Sequence, residues 1–302
     1  MNNFARRVLG FAARKLTAIH TRFEKEEAEK LKLAEENHWN QKFDGQLYLD
    51  YLLRDKLTIR LYKDSVLSKL IFDGFENEEL DFVERFLTSG DTFFDIGANI
   101  GLFSLIASRK VSQSGKIFAF EPSPKTFARL IENFEINAIE NKFVFNIGLS
   151  DKVDTLKLNI SESGYDAWNS FAGSEDVKFN KVHDVDVNTL DNIVALYDID
   201  NIDLIKLDVE GWEKFVLHGG EKTLKTFSPV IMVEFTESNT FSAGYQVQEL
   251  YDILADWGYN WYRYVNKTMV VESKKASYPY DNLFAVKDIG VVNKRFFSSI
   301  DK

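Results

Sequence analysis

The chain has no cysteine among its 302 residues. Disulfides, thiol catalysis and cysteine-ligated zinc are therefore excluded, and the composition suits a reducing compartment. Histidine is scarce as well: the 4 residues stand at positions 20, 38, 183 and 218, a scatter in which no histidine metal cluster is visible. Positive charge is in deficit, with 37 Lys and Arg against 47 Asp and Glu and a net charge of −10. Such a surface repels a polyanion, so nucleic acid is not an expected partner. No apolar run approaches the roughly 18–20 residues a membrane-spanning helix requires. Arg6, Arg7, Arg14 and Lys15 interrupt any secretory apolar stretch. The expected location is therefore cytoplasmic. Proline numbers only 4, and two of these, Pro122 and Pro124, flank Ser123 where a helix is expected to start.

What is present is apolar and aromatic, with 26 Phe, in a chain long enough for a large core. Residues 1–38 stand apart. Phe4, Val8, Phe11, Ala12, Leu16, Ile19 and Phe23 recur at helical spacing, and the first 22 residues carry basic side chains and no acid. This reads as an N-terminal amphipathic extension. It packs on its own domain or a second copy of the chain, or lies peripherally on the inner membrane face. Residues 39–90 form a lead-in, with an alternating strand at Leu57–Tyr62 and a helix from Glu78 to Leu87. Residues 91–290 carry the main domain, interrupted by an excursion at 152–188, and 291–302 are a tail.

In the main domain short apolar runs alternate with helical stretches. Strands are expected near 92–96, 116–121, 143–145, 202–208 and 229–235, and two further strands near 259–265 and 282–287. The fold class that follows is α/β and Rossmann-like, a mostly parallel seven-stranded sheet with helices on both faces.

The first strand ends in Asp95-Ile96-Gly97-Ala98-Asn99-Ile100-Gly101, and the second ends on Glu121. Strand, glycine turn, helix, strand and acid is the plan of a nucleotide-binding unit, in which the terminal carboxylate takes the ribose hydroxyls. The dinucleotide pattern fails, because Asn99 and Leu102 occupy two of its three glycine positions. A P-loop fails because Gly101 is followed by Leu102-Phe103. The loop resembles motif I of class I S-adenosylmethionine-dependent methyltransferases. The fourth strand ends Asp208-Val209-Glu210-Gly211-Trp212-Glu213. In the usual order this strand lies beside the first, so its acids should meet the glycine loop. Three carboxylates so close together are costly unless something uses them.

Together with Phe120-Glu121-Pro122-Ser123-Pro124, Gly74-Phe75-Glu76, Asn133, Asn137, Thr189-Leu190-Asp191 and Val230-Ile231-Met232-Val233-Glu234, these blocks resemble the FkbM family of methyltransferases over roughly residues 70–240. The resemblance implies a class I methyltransferase using S-adenosyl-L-methionine to O-methylate a small-molecule, sugar, glycan or natural-product hydroxyl. It implies that Asp95, Gly97, Asn99 and Gly101 shape the methionine pocket, that Glu121 binds the ribose, and that Ser150 and Asp151 lie near the adenine. Asp208 would sit close to the transferred methyl. Trp212 stands where the family carries a small residue, and with Glu213 and Glu234 it is assigned to the acceptor side. For the base that takes the hydroxyl proton, Asp208 is the first choice, Glu210 the second and His183 the third. A divalent cation on Asp208 is another way to acidify the hydroxyl, although no ligand spacing demands one. A nucleic-acid methyltransferase and a non-catalytic cofactor-binding or assembly module are the competing readings.

Overall fold

The computed structural model describes residue 30 and residues 34–161, 169–172 and 179–298. It divides into two compact units, Met1–Leu49 and Asp50–Lys302. The amphipathic extension expected over 1–38 lies almost wholly outside the described residues. In the first unit Trp39 and Phe43 pack edge to face, ring centroids 4.8 Å apart. Among the described residues no helix is long and apolar enough to cross a membrane.

The elements run β1 (Tyr48–Leu53), β2 (Leu57–Tyr62), α1 (Val66–Phe72), α2 (Asn77–Phe86), β3 (Thr92–Ile96), α3 (Leu102–Val111), β4 (Lys116–Phe120), α4 (Pro124–Ile136) and β5 (Lys142–Phe145). The excursion follows as β6 (Gly148–Leu149), β7 (Asp154–Ser161) and β8 (Phe179–Asn188). Then come α5 (Leu190–Leu196), β9 (Leu204–Leu207), α6 (Glu213–Gly219), α7 (Glu221–Phe227), β10 (Val230–Phe235), α8 (Glu237–Ser242) and α9 (Gln248–Asp256). The last elements are β11 (Asn260–Val265), β12 (Thr268–Val271), β13 (Asp281–Val286) and α10 (Ile289–Ser298).

The main sheet has the order β12-β11-β13-β10-β9-β3-β4-β5. It is parallel from β10 to β5 and antiparallel at the β13, β11 and β12 end. The α/β class with a central, largely parallel sheet is thus as expected. The strand count is eight rather than seven. β12 is the return arm of a hairpin turned by Asn266 and Lys267, both at positive φ (49° and 64°). The turn contains no glycine, so Asn266 is its one local mark.

Side chains alternate across the sheet. Phe94, Phe118 and Ile205 join a core with Leu190, Val216, Leu217, Leu224 and Leu250 from α5, α6, α7 and α9. On α2, Phe82 packs on Phe284 of β13 with centroids 4.3 Å apart, and edge-on to Phe296 of α10. The tail expected from residue 291 thus begins within a helix. Arg295 of α10 donates to Asp91, to Asp203 and to the Phe86 carbonyl. The excursion forms its own three-stranded sheet, β6-β8-β7. Asn133 and Asn137 of α4 are structural: Asn133 donates to the Ile100 carbonyl and accepts from the Arg60 amide, and Asn137 exchanges two hydrogen bonds with the Thr58 backbone.

Candidate active site

The site is built where β3 and β9 end side by side. Asp95 lies opposite Lys206 and Ile96 opposite Leu207, and the Asp208 amide donates to the Ile96 carbonyl at 3.1 Å. Beyond β3 the chain must turn sharply, and Gly97, Asn99 and Gly101 all take positive φ (81°, 48° and 92°). Asn is the non-glycine residue best suited to that region. The Gly97 and Ala98 amides donate to the Phe120 carbonyl, which ties the loop to β4. Glu121 completes the tie. One carboxylate oxygen accepts from the Asn99 amide at 3.0 Å, the other from the Ser123 amide at 2.8 Å.

Asp95 lies beneath this loop rather than on a wall of the cavity. It is fully buried and accepts from the Ser104 hydroxyl at 2.6 Å, while its other oxygen has no partner. Burial pushes its pKa above the ordinary value.

At the other tip acids crowd around one lysine. Lys206 is 6% exposed. Its ammonium donates to the Gly97 carbonyl at 2.9 Å and pairs with Asp208 at 2.8 Å. Glu210, at a left-handed φ of 54°, accepts from the Asn239 side chain at 2.7 Å. Glu234 faces the same space from β10. Oxygens of Asp208, Glu210 and Glu234 lie within 4.8 Å of one another. Desolvation first, and then the charge of Asp208, drives Glu210 and Glu234 well above the usual carboxylate range. The same two causes push Glu76 up to about 7. Glu76 accepts from the Tyr280 hydroxyl at 3.1 Å and from Asn282 at 3.3 Å.

A cavity of about 320 Å³ joins the two ends. Gly97, Asn99 and Glu121 line one side, and Glu76, Lys206, Asp208, Glu210, Glu234 and Tyr280 the other. Phe103, Phe120, Ile147, Leu149, Leu158 and Phe171 supply apolar walls.

Other sequence-assigned residues lie off the lining. The Glu213 carboxylate, 1% exposed, accepts from the Val209 and Gly211 amides and from the Tyr245 hydroxyl. It therefore braces the 208–213 turn. Trp212 donates its indole N–H to the Ser150 hydroxyl at 3.1 Å and stacks on Phe215. Ser150 is thereby turned toward Trp212, Asp151 is exposed, and the neighbouring wall comes from residues 147–149. His183 is exposed on β8 and does not line the cavity. Sequence reasoning did not single out Lys206, Tyr280 or the inward role of Glu76. The one local signal was a charged residue inside the apolar strand Leu204-Ile205-Lys206-Leu207.

The three acids are close enough together to offer a cation one oxygen each. Asp208 already faces an ammonium and Glu210 an amide N–H, while the raised pKa values of Glu210 and Glu234 favour their protonated forms. A divalent cation would have to displace the Lys206 ammonium and the Asn239 N–H to use all three acids.

Residues 95–260 match the family model described as the Methyltransferase FkbM domain. The chain is 27% identical over 175 residues to the 2-O-methyltransferase NoeI of Sinorhizobium fredii, spanning 53% of this chain and 69% of that protein. It is 35% identical over 161 residues to the methyltransferase sdnD of Sordaria araneosa, spanning 44% and 61%. It is 30% identical over 144 residues to the hexuronic acid methyltransferase AglP of Haloferax volcanii, spanning 47% and 55%. The chain thus spans between about half and two thirds of the length of these relatives.

Proposed function

The chain belongs to the FkbM methyltransferase family, and on that premise we propose that it is an S-adenosylmethionine-dependent O-methyltransferase acting on a hydroxyl of a sugar, glycan or natural product. One observation carries this reading: a single cavity runs from a carboxylate placed for a vicinal diol, Glu121, to a carboxylate placed for a proton, Asp208. The residues present fit the donor. Glu121 lines the cavity at the tip of β4 where ribose hydroxyls would lie, Phe120 and Ile147 offer apolar surface to a flat base, and acids stand where a cation would end.

When bound, S-adenosylmethionine supplies an electrophilic methyl group, which an oxygen about 3 Å behind it and in line can take. The chain's own residues must align that oxygen and accept its proton. One oxygen of Asp208 is held by Lys206, which leaves the other for the acceptor hydroxyl. Burial and the charge of Asp208 raise the pKa of Glu210 and Glu234, which favours their acid forms as hydrogen-bond partners of the acceptor. With Glu76 and Tyr280 they make a polar end suited to a polyhydroxyl compound. Two relatives whose names state an O-methyl product or a hexuronic acid substrate support this class. The net charge of −10 weighs against nucleic acid.

The test is incubation of the full chain with methyl-labelled donor and a panel of nucleotide sugars, glycosides and polyketide alcohols. Label should appear on oxygen, with stoichiometric S-adenosylhomocysteine. Transfer only to amines or RNA, or donor binding without transfer to any hydroxyl compound, would refute the assignment.

A further inference from the structure

Lys206 is the single cation among the described residues that line the cavity, and it faces Glu76, Asp208, Glu210 and Glu234. Two of its contacts belong to different halves of the site: the Gly97 carbonyl in the glycine loop, at 2.9 Å, and Asp208 at the tip of β9, at 2.8 Å. The ring of Phe103 covers it, with the centroid 5.5 Å away. Burial alone would lower its pKa, but the charges of Asp208, Asp95 and Glu76 outweigh burial and hold it protonated.

We infer that Lys206 is a positioning and charge-setting residue. By tying the Gly97 carbonyl to Asp208 it fixes the separation of the two strand tips, and it sets how strongly the cavity prefers a cationic sulfonium to its neutral thioether product. The inference rests on S-adenosylmethionine being the ligand of this cavity.

The physical argument separates the two effects. Donor and product share the adenosine and amino-acid parts and differ by one methyl and one unit of charge. Loosening the glycine loop weakens both alike. A change in charge near the sulfur acts on the sulfonium alone. Without Lys206, Asp208 has no counter-charge, and a cation entering the cavity replaces it. Without the Asp208 charge, that attraction is lost.

The test is calorimetry on the full chain at pH 8, with S-adenosylmethionine and S-adenosylhomocysteine as the two probes. Lys206→Met should weaken S-adenosylhomocysteine binding yet raise the ratio of product Kd to donor Kd by at least about fivefold, a modest share of a full Coulomb interaction at this range. Asp208→Asn should lower that ratio by a similar factor, and Lys206→Met combined with Asp208→Asn should bring it back to within about twofold of the parent, since the two changes remove opposite charges beside the same atom. Lys206→Arg, which keeps the cation, should leave the ratio within about twofold of the parent. Equal losses for both probes in Lys206→Met would reduce Lys206 to a structural strap and overturn the inference. Should Lys206→Met fail to fold by circular dichroism, an unchanged ratio in Asp208→Asn overturns it equally. If the parent chain binds neither probe, it is the functional reading that fails.

Discussion

A β-carbon on Gly97 would stand 1.8 Å from the carbonyl oxygen of Asp208. The two strand tips therefore cross backbone to backbone, with no room for a side chain between them. Gly97→Ala must push β3 and β9 apart or break the turn, and φ at this residue is +81° in addition. We expect a loss of about 3 kcal/mol or more in denaturant unfolding, and no saturable donor binding. Gly258→Ala is the control: its φ is +86° but open space surrounds it. It should cost only about 1 kcal/mol and leave donor affinity unchanged. Equal behaviour of the two variants would contradict the crossing.

Asp208→Asn removes the proposed proton acceptor while keeping its size and its place beside Lys206. Turnover should fall by at least about 10², the usual contribution of a positioned base. Donor affinity should change by less than about tenfold, because loop, ribose site and base walls are untouched. Single-turnover kinetics and calorimetry on the same preparation separate the two. Parent-level turnover would take Asp208 out of the mechanism.

Glu213 gives the fold a pH dependence of definite sign. Burial pushes its pKa from 4.5 up to about 7, so the folded state favours the protonated acid. The stability this group contributes is fully present below about 4.5 and is lost as pH rises through about 7. Glu213→Gln keeps an acceptor for the Val209 and Gly211 amides and has no proton to lose. Relative to that variant, the parent should lose on the order of 2 kcal/mol between pH 5 and pH 8. Glu76, Glu210 and Glu234 act with the same sign, and because the Glu213 charge raises Glu210 and Glu234, the difference between the two stability curves reports Glu213 together with its coupling to those two acids. Parallel curves would refute this account.

Far from the cavity, Arg295 joins α10 to the start of β3 and to the loop before β9 through Asp91 and Asp203. Arg295→Met strands two part-buried carboxylates and should cost about 2–4 kcal/mol. Donor Kd should stay within about twofold, since none of the three residues lines the cavity. A large change in Kd would mean that this end of the sheet reaches the site.

The layout of the site was legible because its defining features are local. A buried strand followed by glycines, and an acid one strand later, can be read within a short stretch of chain. The parallel pairing of β3 with β9 then follows from general rules of strand order. Lys206 was not legible, because its meaning lies in a carbonyl 109 residues away. Glu76 and Tyr280 likewise meet only after folding, separated by 204 residues. Trp212 and Glu213 misled for a related reason. An indole and a carboxylate beside an active turn suit an acceptor pocket or a brace equally well. What decided was Ser150 under the indole and two amides under the carboxylate. His183 attracted notice for its chemistry alone, and it stands exposed on β8, off the cavity lining.

Among the described residues the excursion shares no strand pairing with the main sheet, yet Leu149, Leu158 and Phe171 wall the cavity. Side chains on β7 can therefore be exchanged without disturbing the ladder that registers Ile96 against Leu207. What the pocket admits and how it would hold the proposed donor are then separately adjustable. Redesign for a bulkier alcohol should begin at Leu158 and Phe171 and leave both strand tips alone.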